Sequence, residues 1–167
     1  MKKRIVILVA LMAVLLLVAG PVYATPPKPV VGTLTYIPTA PPVEREANGN
    51  TFVSSEDHEE WIGDFEGTAD APFRVVQHSL GFAYVWYRSP FVGTVLGSEP
   101  GEMVIQIVGK KPAVGDWYGR WVILSGKDGL ENIRGQGIWG GPGWDINDPG
   151  IPGDIWYEGN IRFKPVK

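Results

Sequence analysis

The 167-residue chain contains no cysteine and only two histidines, His58 and His78. Without cysteine there is no disulfide framework, no thiolate nucleophile and no lipid-modified cysteine near a processing site, so packing alone must hold an exported fold together. Two separated histidines fall short of the three or four ligands that zinc requires, and no Gly-x-Ser-x-Gly elbow is present to carry a nucleophilic serine. Basic charge is also scarce. Lys2, Lys3 and Arg4 are three of the 15 Lys+Arg, so 12 basic residues face 18 acidic ones beyond Ala24, a formal charge of −6. That balance argues against nucleic acid and an anionic membrane surface as partners. No stretch after Ala24 keeps a helical period, and no solenoid-length repeat is found.

Glycine and proline are plentiful, 22 and 15 residues, and they punctuate short runs of Val, Ile, Thr and aromatics. This is the texture of an all-β chain. The N-terminus is different. Met-Lys-Lys-Arg precedes an unbroken apolar run from Ile5 to Ala19, then a Gly20-Pro21 break and Val22-Tyr23-Ala24. A basic n-region, an apolar h-region and small residues at the cleavage positions predict a signal peptide over 1–24 and a secreted or periplasmic product. The run is shorter than the ~18 to 20 residues a membrane span needs. Residues 25–30 read as a Pro-rich tether, and 31–167 as one domain.

Strands are expected at 31–37, 60–67, 71–78, 82–96, 102–110, 114–124, 135–140 and 154–164. Between the first two, 38–55 reads as a mobile lead-in with an Asn48-Gly49 turn and at most a short strand at 51–53. Eight strands with short connections suit a closed antiparallel barrel, which removes exposed edges. The last strand shows the pleat plainly. Ile155, Tyr157, Ile161 and Phe163 share one parity, and Glu158, Asn160, Arg162 and Lys164 the other. Phe82 to Tyr87 and Val122 to Leu124 are instead apolar on both parities, which predicts either a subunit interface, hence a homo-oligomer, or cover from long loops.

The most distinctive stretch runs from Gly119 to Gly137, a strand, a Ser-Gly-Lys-Asp-Gly turn cluster and an apolar bend in which Leu130 and Ile133 face one core. Together with Gly63-Asp64-Phe65-Glu66-Gly67-Thr68 and Tyr157-Glu158-Gly159-Asn160-Ile161-Arg162-Phe163, it resembles barrels of the allene oxide cyclase and dirigent type. The resemblance implies an all-β, calycin-like closed barrel of about eight strands with a largely apolar interior open at one end. It also implies cofactor-free handling of hydrophobic molecules, often in trimers. The cyclase's functional residues do not map onto this chain one by one, so that activity is not carried over.

Several residues are candidates for a lumenal site. Tyr84, Trp86 and Arg88 share a parity with Phe82, and Trp117, Trp121 and Ile123 share another. If these face inward, they form an aromatic cavity in which Arg88 orients a carbonyl or carboxylate; equally, the rings fill a small barrel and Arg88 points outward. His78 ends a strand, at a pocket mouth or on the surface. Trp144 belongs to a Gly/Pro-rich loop, 140–154, that reads as a lid. Asp145, Asn147, Asp148 and Asp154 in that loop are oxygen donors that extracellular calcium could use, but Pro149 stands where a ligand is wanted and no bidentate Glu follows, so they read first as ordinary turn residues. Around His58 the run from Glu56 to Glu60 reads as a solvated acidic loop. The expected function is binding of a small hydrophobic molecule, without metal or cofactor. The alternatives are a cyclase or isomerase in the same cavity, or an extracellular interaction domain with a filled barrel. A cavity of ~300 Å³ or more separates the first two from the third.

Overall fold

The structure, a computed structural model, describes residues 26–143 and 152–163. The expected signal peptide and the lid candidate Trp144 with Asp145, Asn147 and Asp148 lie outside the described residues. Nine strands follow one another: β1 (Lys28–Pro38), β2 (Val43–Ala47), β3 (Asn50–Gly63), β4 (Phe65–His78), β5 (Ala83–Val95), β6 (Gly101–Lys111), β7 (Trp117–Asp128), β8 (Ile133–Gly143) and β9 (Gly153–Phe163). From β3 to β9 each strand pairs with the next, and β1 pairs with both β9 and β3. The result is a closed, eight-stranded, all-antiparallel barrel with β2 as an extra strand beside the first half of β3.

Three expectations change here. The segment 38–55 is a hairpin, not a mobile lead-in. Asn48 and Gly49 both take positive φ, 53° and 72°, and join Ala47 to Asn50 directly. That is the two-residue turn whose twist matches paired strands, and Asn-Gly is its preferred sequence. The stretch 60–67 is not one strand but a corner. β3 ends at Gly63, whose φ is 116°, and β4 begins at Phe65. Between them Asp64 latches the barrel seam: its carboxylate accepts from the Val31 amide at 2.7 Å, and its own amide donates to the Val31 carbonyl. At the N-terminal side, pairing with β9 starts at Lys28 and Val30 is buried, so the wall begins inside the stretch read as a tether.

Glycine faces glycine at five places in the wall; Gly93 also meets Gly101, against the turn after β7, and the other four pairs lie under rings. Gly32 faces Gly63, Gly67 faces Gly93, Gly109 faces Gly119, and Gly137 faces Gly159. One pair falls on each of β1–β3, β4–β5, β6–β7 and β8–β9, so all eight barrel strands contribute one. Each of these four pairs is roofed by an aromatic side chain, respectively Tyr157, Phe91, Trp139 and Trp121. A Cβ on Gly93 would sit 2.8 Å from the Phe91 ring, and one on Gly137 would sit 2.5 Å from the Trp121 indole. Two of the indoles are fixed by hydrogen bonds to the wall itself, Trp121 Nε1 to the Glu158 carbonyl at 3.2 Å and Trp139 Nε1 to the Val108 carbonyl at 3.1 Å.

Three of those rings, Tyr157, Phe91 and Trp121, meet Phe65 and Trp61 in a solid aromatic layer. Phe65 stacks on Tyr157 at 5.0 Å between centroids and meets Trp121 at 5.6 Å, and Trp61 lies 5.3 Å from Tyr157 and 6.0 Å from Phe91. The Tyr157 hydroxyl accepts from the Phe65 amide at 2.9 Å, so its one polar atom is satisfied inside the core. Below this layer the turn after β7 closes the barrel end. Leu130 and Ile133, both wholly buried, are carried inward by hydrogen bonds from Leu130 N to Lys127 O and from Ile133 N to Leu130 O. The one-turn plug expected from their spacing therefore forms.

Substituting Gly137 by Ala places a methyl group against the Trp121 ring and the wall, and should cost about 1–3 kcal/mol in urea unfolding. A Trp121→Leu change in the same chain should recover part of that loss relative to the sum of the single changes. Strict additivity would show that the indole is not the obstacle.

Candidate functional site

β3 alternates strictly through its second half. Asp57, Glu59 and Trp61 are buried, while Glu56, His58, Glu60 and Ile62 are exposed. The acidic run read as a solvated loop is thus a strand that sends every second carboxylate into the lumen. His58 stays outside, with Nδ1 2.7 Å from Asp70 on β4. Room for the inward pair comes from the neighbouring strand, where Ala69 faces Glu59 and Ala71 faces Asp57. Beyond them the β4–β5 ladder is interrupted between Thr68–Val92 and Phe73–Tyr87. Pro72 and Pro90 fall within this gap and bring no amide donor to it.

Glu59 is wholly enclosed and is held as an acceptor. Trp61 Nε1 donates to Oε2 at 3.0 Å, and the buried Ser89 hydroxyl donates to the same oxygen. The Tyr87 hydroxyl also hydrogen-bonds the carboxyl. Removal from water pushes the Glu59 pKa up, and these donors only partly offset that rise. Burial likewise raises the Tyr87 phenol well above its ordinary value, with Glu59 adding to it.

Asp57 lies two residues along the strand, one step nearer the open end. It is 4% exposed, and its Oδ1 has no hydrogen-bond partner among the described residues. Burial, and next the neighbouring Glu59 charge, push its carboxyl up to about 7, against which a hydrogen bond with Ser55 acts. Asp57 forms the polar wall of a mouth pocket whose other sides are Tyr36, Phe73, Val75, Val85, Tyr87, Trp117, Trp139 and Ile155. The enclosed part measures about 40 Å³. That is space for a few waters, or for the head of a molecule, and far from the ~300 Å³ of a ligand-sized cavity. A lumen open along its length is therefore not what this barrel contains.

The residues expected to line the site are placed differently. Tyr84, Trp86 and Arg88 face outward, with Tyr84 50% and Trp86 51% exposed. On β5 the inward parity is Ala83, Val85, Tyr87, Ser89 and Phe91. Because both parities are apolar, hydrophobicity does not decide between them. Phe91 must cover the Gly67–Gly93 pair and Ser89 must reach Glu59, and together these choose the inward set. Trp121 does face inward, but it lies in the filled aromatic layer rather than at the pocket. His78 is on the outside of the β4–β5 hairpin, stacked on Phe82 at 4.2 Å. Asp154, at the start of β9, accepts from the Thr35 hydroxyl at 3.0 Å. Of these predicted residues, His78 and Tyr84 meet edge to face at 6.2 Å on the outer wall and none lines the mouth pocket; the structure groups instead Asp57, Glu59, Tyr87 and Ser89. The signal for the first two was the odd-numbered parity that Val53, Asp57, Glu59 and Trp61 share.

No family model matches the chain, and no curated protein does. Among solved structures, a protein of unknown function from the DUF3224 family of Shewanella oneidensis is similar, with a TM-score of 0.63 and 15% identity over 84% of this chain and 100% of that one. The likeness extends to the barrel fold. It leaves the allene oxide cyclase and dirigent type as a resemblance of sequence motifs.

Two outcomes test the carboxyl pair. Glu59→Leu strands the Trp61, Ser89 and Tyr87 donors and should cost roughly 3 kcal/mol or more, whereas Glu59→Gln, which keeps an acceptor, should cost less than half as much in the same denaturant series. Asp57 binds its proton more tightly in the folded protein than in the unfolded chain. Its contribution to stability is therefore complete below pH about 4 and is lost as pH rises through about 7. Asp57→Asn should remove that slope, raising the melting temperature above wild type at pH 8 and leaving it close to wild type at pH 4 or below.

Proposed function

We propose that this chain is an exported barrel that binds a small, mainly apolar molecule end-on at its mouth, with one hydrogen-bonding group of that molecule set against Asp57. The observation that carries this reading is the buried Asp57 carboxyl with an unpartnered oxygen, the polar spot in a pocket otherwise walled by aliphatic and aromatic side chains. A buried polar atom without a partner costs on the order of 1–3 kcal/mol, and a ligand that supplies the missing hydrogen bond recovers it. Near neutral pH the carboxyl exists in both forms, so it can donate to a carbonyl or ether oxygen or accept from a hydroxyl. The enclosed volume limits the inserted part to a few heavy atoms, and the remainder of the molecule lies between Trp117 and Phe73 at the opening. Export rests on the basic, apolar and small-residue pattern of residues 1–24.

A second reading, a cofactor-free isomerase or cyclase, is favoured by the pKa of Asp57 near 7 beside a second buried carboxyl. A group poised at the working pH is suited to take a proton from carbon and return it. Small cyclic ketones in deuterated buffer separate these readings by proton NMR. Chemical-shift changes at Trp117 and Trp139 that vanish in Asp57→Leu are expected for the binder. Loss of the ketone's α-proton signal, abolished in Asp57→Asn with binding retained, is expected for the enzyme. Neither effect across a broad fragment set would leave a filled barrel with no lumenal ligand.

A further inference from the structure

The outer wall is divided by charge. The outward positions of β5, β6 and β7 carry Arg88, Lys110 and Arg120, and Glu102, the outward acid of β6, is paired with Lys127 at 2.8 Å. The same wall exposes Tyr84, Trp86 and Tyr118, each about half accessible, and the Lys110 ammonium lies 5.1 Å from the Tyr118 ring centre. Strand register places these groups side by side: Trp86 neighbours Val108, which neighbours Arg120, and Tyr84 neighbours Lys110, which neighbours Tyr118. The adjoining wall has the opposite sign. Glu56 and Glu60 of β3 and Glu66 and Asp70 of β4 all face out, His58 is bonded to Asp70 alone among them, and the exposed base of β4, Arg74, lies beside Trp86 at the edge of the basic wall. Over the Gly63 and Gly67 corner, where no side chain fills the surface, this acidic wall is hollowed into a groove of about 390 Å³ walled by Glu60, Ile62, Glu66 and Thr68.

We infer that these two walls are the complementary halves of a contact between copies of this chain, in which the Trp86–Arg88 ridge of one copy seats in the Glu60–Glu66 groove of the next. The groove offers a bare backbone floor and the exposed Ile62 to an indole, and two carboxylates to a guanidinium. Aromatic and arginine side chains are the groups that most often anchor protein interfaces. Pairing like walls would set acid against acid or base against base in a chain that already carries excess negative charge, whereas pairing unlike walls cancels charge at each contact. Such a contact is heterologous. It closes a ring where the rotation between successive copies divides a full turn, and runs on as a helical filament where it does not. This occupant also accounts for β5 and β7 being apolar on their outer parity.

Sedimentation velocity of the purified protein at low and high salt tests the proposal. Self-association is expected at low salt and should weaken about tenfold or more at high salt. Arg88→Glu/Arg120→Glu and Glu60→Lys/Glu66→Lys should each be folded by circular dichroism and monomeric alone. Mixed together they should associate again, because the unaltered acidic wall of the first fits the unaltered basic wall of the second, and the two reversed walls also match. A wild-type protein that stays monomeric, association that survives both reversals, or a mixture of folded variants that stays monomeric would each overturn the inference.

Discussion

Everything in this barrel depends on how closely its strands can approach at four places. At these four glycine pairs the wall can fold inward sharply, and a large ring lies against the bare backbone. The area that two missing side chains leave uncovered is recovered by one indole, phenol or phenyl group. The four pairs use each of the eight barrel strands once; three of their rings, Tyr157, Phe91 and Trp121, fill the axis with Phe65 and Trp61, and the fourth, Trp139, walls the mouth pocket. This is why a chain with no disulfide can support a single-layer barrel: the core is aromatic, close-packed and tied to the wall by indole hydrogen bonds.

The same filling decides where chemistry can occur. With the aromatic layer filling the middle and the Leu130–Ile133 turn at one end, the mouth pocket lies at the opposite end, where β3 places its two inward carboxylates. Glu59 is satisfied three times over and belongs to the architecture. Asp57, one step outward, is not. Two acids on one strand face thus have different roles because one is surrounded by donors and the other by hydrocarbon.

How much of this could be read beforehand differs from strand to strand. β9 was legible because its two faces differ in chemistry, and the plug because Leu130 and Ile133 are apolar residues in a run of turn formers. The eight-stranded closure followed from strand number and short connections. The acidic stretch of β3 misled because five of its residues in a row are charged or histidine, a composition that normally marks solvent, and alternation within a charged run has no hydrophobic contrast to reveal it. β5 misled for the opposite reason, since apolar residues on both parities give no contrast either. Its orientation is set by partners distant in sequence, Gly67 and Glu59, and by an outer face that a monomer leaves in water.

Closure at β1 has a consequence for how the chain reaches this state. From β3 to β9 every pairing is between strands adjacent in sequence, so each can form as a local hairpin. The pairing of Lys28–Tyr36 with Gly153–Ile161 is different, because it joins the two ends of the chain. Contacts across such separations carry the largest loop-closure entropy and form slowly. The strand synthesised first is therefore locked last. Until it docks and Asp64 fastens the seam, β3 and β9 present two open edges to neighbouring chains, and the barrel's resistance to edge-to-edge aggregation rests on its first strand finding its place.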